Sequence, residues 1–297
     1  MGQPTVKVGV VDIGTNSMRL LVTDGTRDHG RWVEVTGLGR GIDRTGALSE
    51  PAIEATLQTL RRFGQQMDDG GVSVRAAIAT SATRDASNRE QFLDRAERAL
   101  AVRPEMISAE REGRLAYAGA TSDLTADTVS LVCDIGGGST EFVESNRVTS
   151  VDIGSVRLTD RLLGQRPPSP EELARAREHV RRLFADVASV TVGEVVGVAG
   201  TWTSIAAIDL DLPAYDRDLV HHHSLPASRV TALVTKLASM TVEETASIPS
   251  LDPARAPVIL SGSVVAEAAY GALGVESVLI SERDTLDGLA AELLALA

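Results

Sequence analysis

Val8-Gly9-Val10-Val11-Asp12-Ile13-Gly14-Thr15-Asn16-Ser17 and Ser130-Leu131-Val132-Cys133-Asp134-Ile135-Gly136-Gly137-Gly138-Ser139 carry one pattern twice. Each is an apolar run ending in Asp-Ile-Gly-x-x-Ser, and each feeds a second apolar run through a tight turn. Such a run, closed by glycine, reads as a buried strand entering a hairpin. The copies are 122 residues apart, about the size of one domain. The repeat predicts a duplicated α/β chain: two halves facing each other across a cleft, with one Asp-Gly-Ser hairpin on each wall.

Working outward, the first copy predicts strands at Val6–Ile13, Met18–Thr23 and Trp32–Leu38, punctuated by Gly14, Asp24-Gly25 and Gly30. Ser49 is placed to cap a helix with Pro51 in its first turn, and Ile53, Leu57, Leu60 and Met67 keep near-helical spacing. A strand at Val74–Thr80, a helix at Arg89–Leu100, a short strand at Met106–Ser108 and a helix at Glu110–Ser122 follow. The second copy predicts strands at Val129–Ile135, Glu141–Glu144 and Val148–Ile153, then a helix at Ser155–Leu163. The proline-rich connector Gln165–Pro170 leads to the amphipathic stretch Glu171–Val187, and a strand at Gly193–Ala199 runs into Gly200-Thr201. Two further strands are expected at Val258–Leu260 and Ser277–Ile280, and a last helix at Thr285–Ala297. The domains are expected at 1–122 and 123–284, with the helix 285–297 packing back on the first.

Of 297 residues, 41 are acidic and 29 basic, for a net charge of −12. That argues against broad nucleic-acid binding, which needs basic surface, and Trp32, Trp202 and the tyrosines show no basic-aromatic interleaving. The N-terminus has no basic n-region before an apolar stretch, and no apolar run approaches a membrane span, so neither export nor membrane insertion is expected. Cys133 is the one cysteine, which suits a reducing cytoplasm and reads as a small core residue. Lys7 and Lys236 are the only lysines, so an anion site here would use the planar arginine fork. His221-His222-His223, beside Leu225-Pro226, lacks paired ligand spacing and reads as a loop rather than a zinc site.

The repeated hairpin has chemical content. Glycine allows close backbone approach, and successive N–H groups can form a nest for an anion. Ser17 and Ser139 add hydroxyl donors. Asp12 and Asp134, at the strand ends, would repel a phosphate unless a cation lay between, and Mg²⁺ prefers this mix of carboxylate, phosphate oxygen and water. There is no Gly-x4-Gly-Lys-Ser/Thr loop, so this is not a P-loop protein.

Asp12–Ser17, Ala79-Thr80-Ser81-Ala82-Thr83-Arg84, Glu110-Arg111-Glu112-Gly113-Arg114-Leu115 and Asp134–Glu141 resemble, in order and spacing, the exopolyphosphatase / guanosine pentaphosphate phosphohydrolase family. Gly197–Ile205 and Ser281–Gly288 match its later motifs, so the resemblance covers essentially the whole chain. It implies two duplicated actin-like (ribonuclease H-like) domains, within the superfamily of actin, sugar kinases and the Hsp70 ATPase. It also implies Mg²⁺-dependent hydrolysis of a terminal phosphoanhydride of inorganic polyphosphate, or of guanosine pentaphosphate.

The resemblance places the catalytic base on Glu112, with Glu110 competing, because Arg111 stands where a second acid is common and Gly113 where alanine is common. A carboxylate can orient the attacking water and take its proton. Arg84 becomes a phosphate clamp. Asn16, Ser17, Gly136, Gly137, Gly138, Ser139, Arg157, Gly200 and Thr201 become phosphate-binding residues, and Asp134, Asp12 and Glu141 the metal set. A monovalent cation such as K⁺ is a second candidate ion. The reading is a cytoplasmic exopolyphosphatase acting on short polyphosphate, since an acidic exterior repels the rest of a long chain. Guanosine penta- or tetraphosphate, with a link to the stringent response, is the alternative ligand, and a homodimer is a further expectation. A sugar-kinase or acetate-kinase-like enzyme is disfavoured by the Glu112 motif. A non-catalytic polyphosphate or alarmone binder is disfavoured by Asp134, Glu112 and Arg84 occurring together.

Overall fold

A computed structural model describes residues 6–124, 129–187 and 193–296. The segment Met1–Pro4 and the final Ala297 of the predicted last helix lie outside the described residues. The chain divides into two units, Met1–Gly119 with Thr285–Ala297, and Ala120–Asp284. The first division falls at 119/120 rather than at 122/123.

The first unit holds strands β1 (Val8–Ile13), β2 (Ser17–Thr23), β3 (Asp28–Val35), β4 (Val74–Ala79) and β5 (Glu105–Met106), in the order β3-β2-β1-β4-β5. β1 runs antiparallel to β2 and parallel to β4. Its helices are α1 (Ile42–Thr45), α2 (Glu50–Asp69), α3 (Ser81–Asp85), α4 (Arg89–Leu100), α5 (Ala109–Ala120) and α13 (Thr285–Leu296). Helices cover both faces of the sheet. Val11, Ile13, Leu20 and Val22 pack with Leu57, Leu60, Phe63 and Met67 of α2, while Val8, Val10 and Leu21 pack with Leu115 of α5 and with Leu286 and Leu289 of α13. Successive strand side chains alternate between faces. Asp12 and Arg19 therefore lie on the face that α5 and α13 cover.

The second unit holds β6 (Val129–Ile135), β7 (Thr140–Val143), β8 (Val148–Val151), β9 (Glu194–Val198), β10 (Ser224–Pro226) and β11 (Ser277–Ile280), in the order β10-β11-β9-β6-β7-β8. Its helices are α6 (Ser155–Leu162), α7 (Pro170–Leu183), α8 (Ala199–Asp209), α9 (Arg217–Val220), α10 (Ala227–Ala238), α11 (Val242–Ala246) and α12 (Ala256–Leu273). β6 is antiparallel to β7 and parallel to β9, as β1 is to β2 and β4. The core strand order is thus repeated, and the duplicated α/β class expected from the sequence is what the two sheets show. Leu131, Cys133 and Ile135 face the α12 core, so alternation puts Asp134 on the opposite face.

Two local expectations change. Val258–Leu260 is not a strand but part of α12, whose residues are buried nearly all round. A helix buried on every side has no polar stripe, and a three-residue apolar run within it cannot be told from a strand by periodicity. Pro253–Leu273 is also apolar and long enough to cross a membrane by length and composition, yet most of it is buried in the second unit's core. Ser49 does precede α2, but its side chain makes no capping bond. Complete capping boxes form instead at α7, where Ser169 and Glu172 bond each other's backbone N–H, and at α11, where Thr241 and Glu244 do the same.

Candidate active site

In the first unit the tight hairpin sets Asp12 directly opposite Arg19. Arg19 Nε donates to Asp12 Oδ2 at 3.0 Å, and its Nη2 donates to the same oxygen. Asp12 is buried, and its ion-pair partner is a residue the sequence reading missed. The turn is held tightly. Gly14 N–H donates to Ser17 O at 3.1 Å, and an ideal Cβ on Gly14 would lie 2.8 Å from that oxygen, so only glycine fits. Asn16 O accepts from Thr36 and Gly37 N–H, and Thr15 O from Gly39 N–H. Thr15 and Asn16 are buried, and the Asn16 side-chain oxygen has no partner among the described residues.

Arg84 and Glu112 meet on the same side of this unit. Arg84, in α3, donates from Nη1 to Ile107 O at 2.9 Å and to Glu112 Oε2 at 3.1 Å. Its Nε and Nη2 make no hydrogen bond among the described residues, which leaves a planar N–H edge suited to two phosphate oxygens. Glu112 sits in the first turn of α5, with its side chain 14% exposed. Burial pushes its carboxyl up to about 7, the charge of Asp12 adds to the rise, and Arg84 and Arg19 oppose it. A carboxylate held there can accept a proton near neutral pH. Glu110 is placed otherwise: it is exposed and pairs with Arg114 one turn along at 2.8 Å. Arg111 reaches α13, pairing with Glu292 at 2.7 Å.

In the second unit the same hairpin carries different charges. Asp134 lies directly opposite Glu141, and Glu141 opposite Ser150. Both carboxylates are buried, and Ser150 Oγ donates to Glu141 Oε1 at 2.8 Å. Opposed like charges destabilise a strand pair. Two buried hard-oxygen donors on one face fit a divalent cation of the Mg²⁺ kind. The Asp12 position fits less well, because Arg19 already supplies its positive charge.

Gly136 N–H donates to Ser139 O at 3.0 Å, as in the first hairpin. The first N–H groups of α6 do not face a free ligand: Ser155 donates to Gly136 O, and Val156 and Arg157 donate to Gly137 O. The N–H groups of Gly137 and Gly138 have no backbone partner among the described residues, which leaves them for an anion. Arg157 is buried, 3.9 Å from the exposed Asp152. Gly200 lies under the guanidinium of Arg255, where an ideal Cβ would be 2.1 Å from Nη1, and Thr201 beside it is buried.

The histidine run is built into an ion-pair cluster. Asp123 Oδ2 accepts from His221 Nε2 at 2.9 Å and pairs with Arg283 Nε at 2.9 Å. His222 Nε2 is 3.8 Å from Asp123 Oδ1. Asp123, His221 and His222 could converge on a metal, but the tautomer opposes it. Glu282 N–H donates to His221 Nδ1 at 3.1 Å, which leaves the ring proton on Nε2, the atom a metal would need. Arg283 already neutralises the carboxylate. Cys133 is buried, and burial pushes its thiol well above the ordinary range.

Comparison with known proteins adds a shared ancestry. The profile of the Ppx/GppA phosphatase family matches residues 31–296. Exopolyphosphatase 2 of Mycobacterium tuberculosis is 33% identical over 97% of this chain and 98% of its own length. The crystal structure of an exopolyphosphatase-like protein superposes with a TM-score of 0.90 at 33% identity, covering 98% of this chain and 99% of that one. An Aquifex aeolicus member of the Ppx/GppA family superposes with a TM-score of 0.79 at 31% identity, covering 99% of each chain.

Proposed function

The chain belongs to the Ppx/GppA phosphatase family, and we propose that it is an exopolyphosphatase that releases orthophosphate from the end of short inorganic polyphosphate. The observation that carries the reading is Glu112: a largely buried carboxylate bonded to Arg84 and pushed up to about 7. Its ionised form orients the attacking water and accepts its proton, while the free edge of Arg84 takes two oxygens of the terminal phosphoryl group. Within the first unit Ser17 and Asn16 are assigned to phosphate oxygens; within the second, the N–H groups of Gly137 and Gly138 and the Ser139 hydroxyl, with Arg157, Gly200 and Thr201 as further contacts. Asp134 and Glu141 would hold Mg²⁺, which when bound supplies positive charge against the phosphates. No covalent enzyme intermediate is needed.

The full-length relative from Mycobacterium tuberculosis, 33% identical, is named an exopolyphosphatase, which supports polyphosphate over guanosine pentaphosphate as the substrate. The preference for short chains follows from the net charge of −12. An acidic surface repels a trailing polyanion within a screening length of about 8 Å at physiological salt. A cytoplasmic location fits the single, buried Cys133.

The test is orthophosphate release by the purified chain with Mg²⁺ from short polyphosphate, long polyphosphate, guanosine pentaphosphate and ATP. We expect release from polyphosphate, fastest on short chains, and a loss of roughly 10²-fold or more in Glu112→Gln. Release from ATP alone, release from none of them, or an unchanged Glu112→Gln rate would overturn the reading.

A further inference from the structure

We propose that Ser150 is a positioning residue that fixes Glu141 for divalent-cation binding, an inference that rests on the reading of Asp134 and Glu141 as the metal set. Asp134, Glu141 and Ser150 form one row across β6, β7 and β8, each the register partner of the next. Residues in such a row project from the same face of the sheet. The glutamate has one more rotatable bond than the aspartate, and a cation with near-octahedral demands needs its oxygens held. The Ser150 hydroxyl supplies that hold: it donates to Oε1 at 2.8 Å and so restrains the torsion of the carboxylate.

The duplicate hairpin supports this assignment. The equivalent row in the first unit is Asp12, Arg19 and Val33. There the second position is an arginine that bonds the aspartate itself, and the third position carries no hydroxyl. A hydroxyl is present in the row whose second residue is a carboxylate needing orientation. Ser150 is itself exposed, so it adds little to the core, and removing its hydroxyl leaves no buried cavity. Residues that orient a metal ligand in this way typically change metal affinity 10- to 100-fold when lost.

The experiment is Mn²⁺ binding to the purified chain without substrate, read from the free-ion electron paramagnetic resonance signal. Wild type, Ser150→Ala, Ser150→Thr and Glu141→Gln are compared, and the Mg²⁺ activation curve is taken alongside. Ser150→Ala is expected to weaken Mn²⁺ binding about tenfold, shift the Mg²⁺ activation midpoint by a similar factor and recover most of its rate at saturating Mg²⁺. Ser150→Thr restores the affinity. Weakened binding in Glu141→Gln with unchanged binding in Ser150→Ala overturns the positioning role alone. Unchanged binding in both, or no saturable Mn²⁺ binding by the wild type, overturns the metal assignment together with it.

Discussion

Replacing Glu112 by Gln should make the protein more stable at alkaline pH and leave it nearly unchanged in acid. Unfolded, the carboxyl titrates near its ordinary 4.5; folded, it is pushed up to about 7. A group of this kind binds its proton more tightly in the native state. The native state therefore loses stability as pH rises from 4.5, and the loss is complete once pH passes 7. The interval corresponds to about 3 kcal/mol at 1.36 kcal/mol per pH unit. Glutamine keeps an oxygen for Arg84 Nη1 but carries no charge, so its curve lacks this component. Urea unfolding of both proteins from pH 4.5 to 8.5 checks it. The difference, variant minus wild type, should grow by about 3 kcal/mol between pH 4.5 and pH 8 and then level off. The two curves running parallel across that range would refute the account of a buried carboxylate beside Asp12. A difference that grows in the opposite direction would mean that Arg84 and Arg19 outweigh burial.

Two further substitutions test the backbone around the site. Gly154→Ala would place a methyl group 2.6 Å from Gly136 O and from the Gly137 carbonyl. The hairpin backbone cannot yield cheaply, so a loss of about 2 kcal/mol is expected in the same urea titration; a stability equal to wild type would mean that the hairpin is not held as described. Ala101, exposed at the end of α4, sits at φ 57°. Ala101→Gly relieves that left-handed strain against some added freedom in the unfolded chain, and should raise stability by about 0.5–1 kcal/mol in thermal melts, with a drop counting against it.

What the sequence could reveal depended on how far apart the cooperating residues lie along the chain. The duplicated hairpins were readable because strand, glycine and serine are contiguous, and a tight turn needs only those residues. The choice between Glu110 and Glu112 was also latent in local spacing. Glu112 lies three residues before the buried Leu115, and Glu110 four before the exposed Arg114, so one helix has a wet and a dry side. Arg19 and Ser150 were harder to find, because they act across strands and only the register shows which carboxylate each one meets. Asp123 and His221 are 98 residues apart, and nothing local links them. Yet the repeat offset that found Asp12 and Asp134 also carries Arg19 onto Glu141. At one structural position, one copy holds a cation of its own and the other a second acid. The first hairpin pairs its aspartate with an arginine across the strands, whereas the second sets two buried carboxylates opposite each other. That asymmetry motivates the divalent-ion site proposed for the second copy, while in the first the proton affinity of Glu112 is raised by burial and by Asp12 and restrained by Arg84 and Arg19.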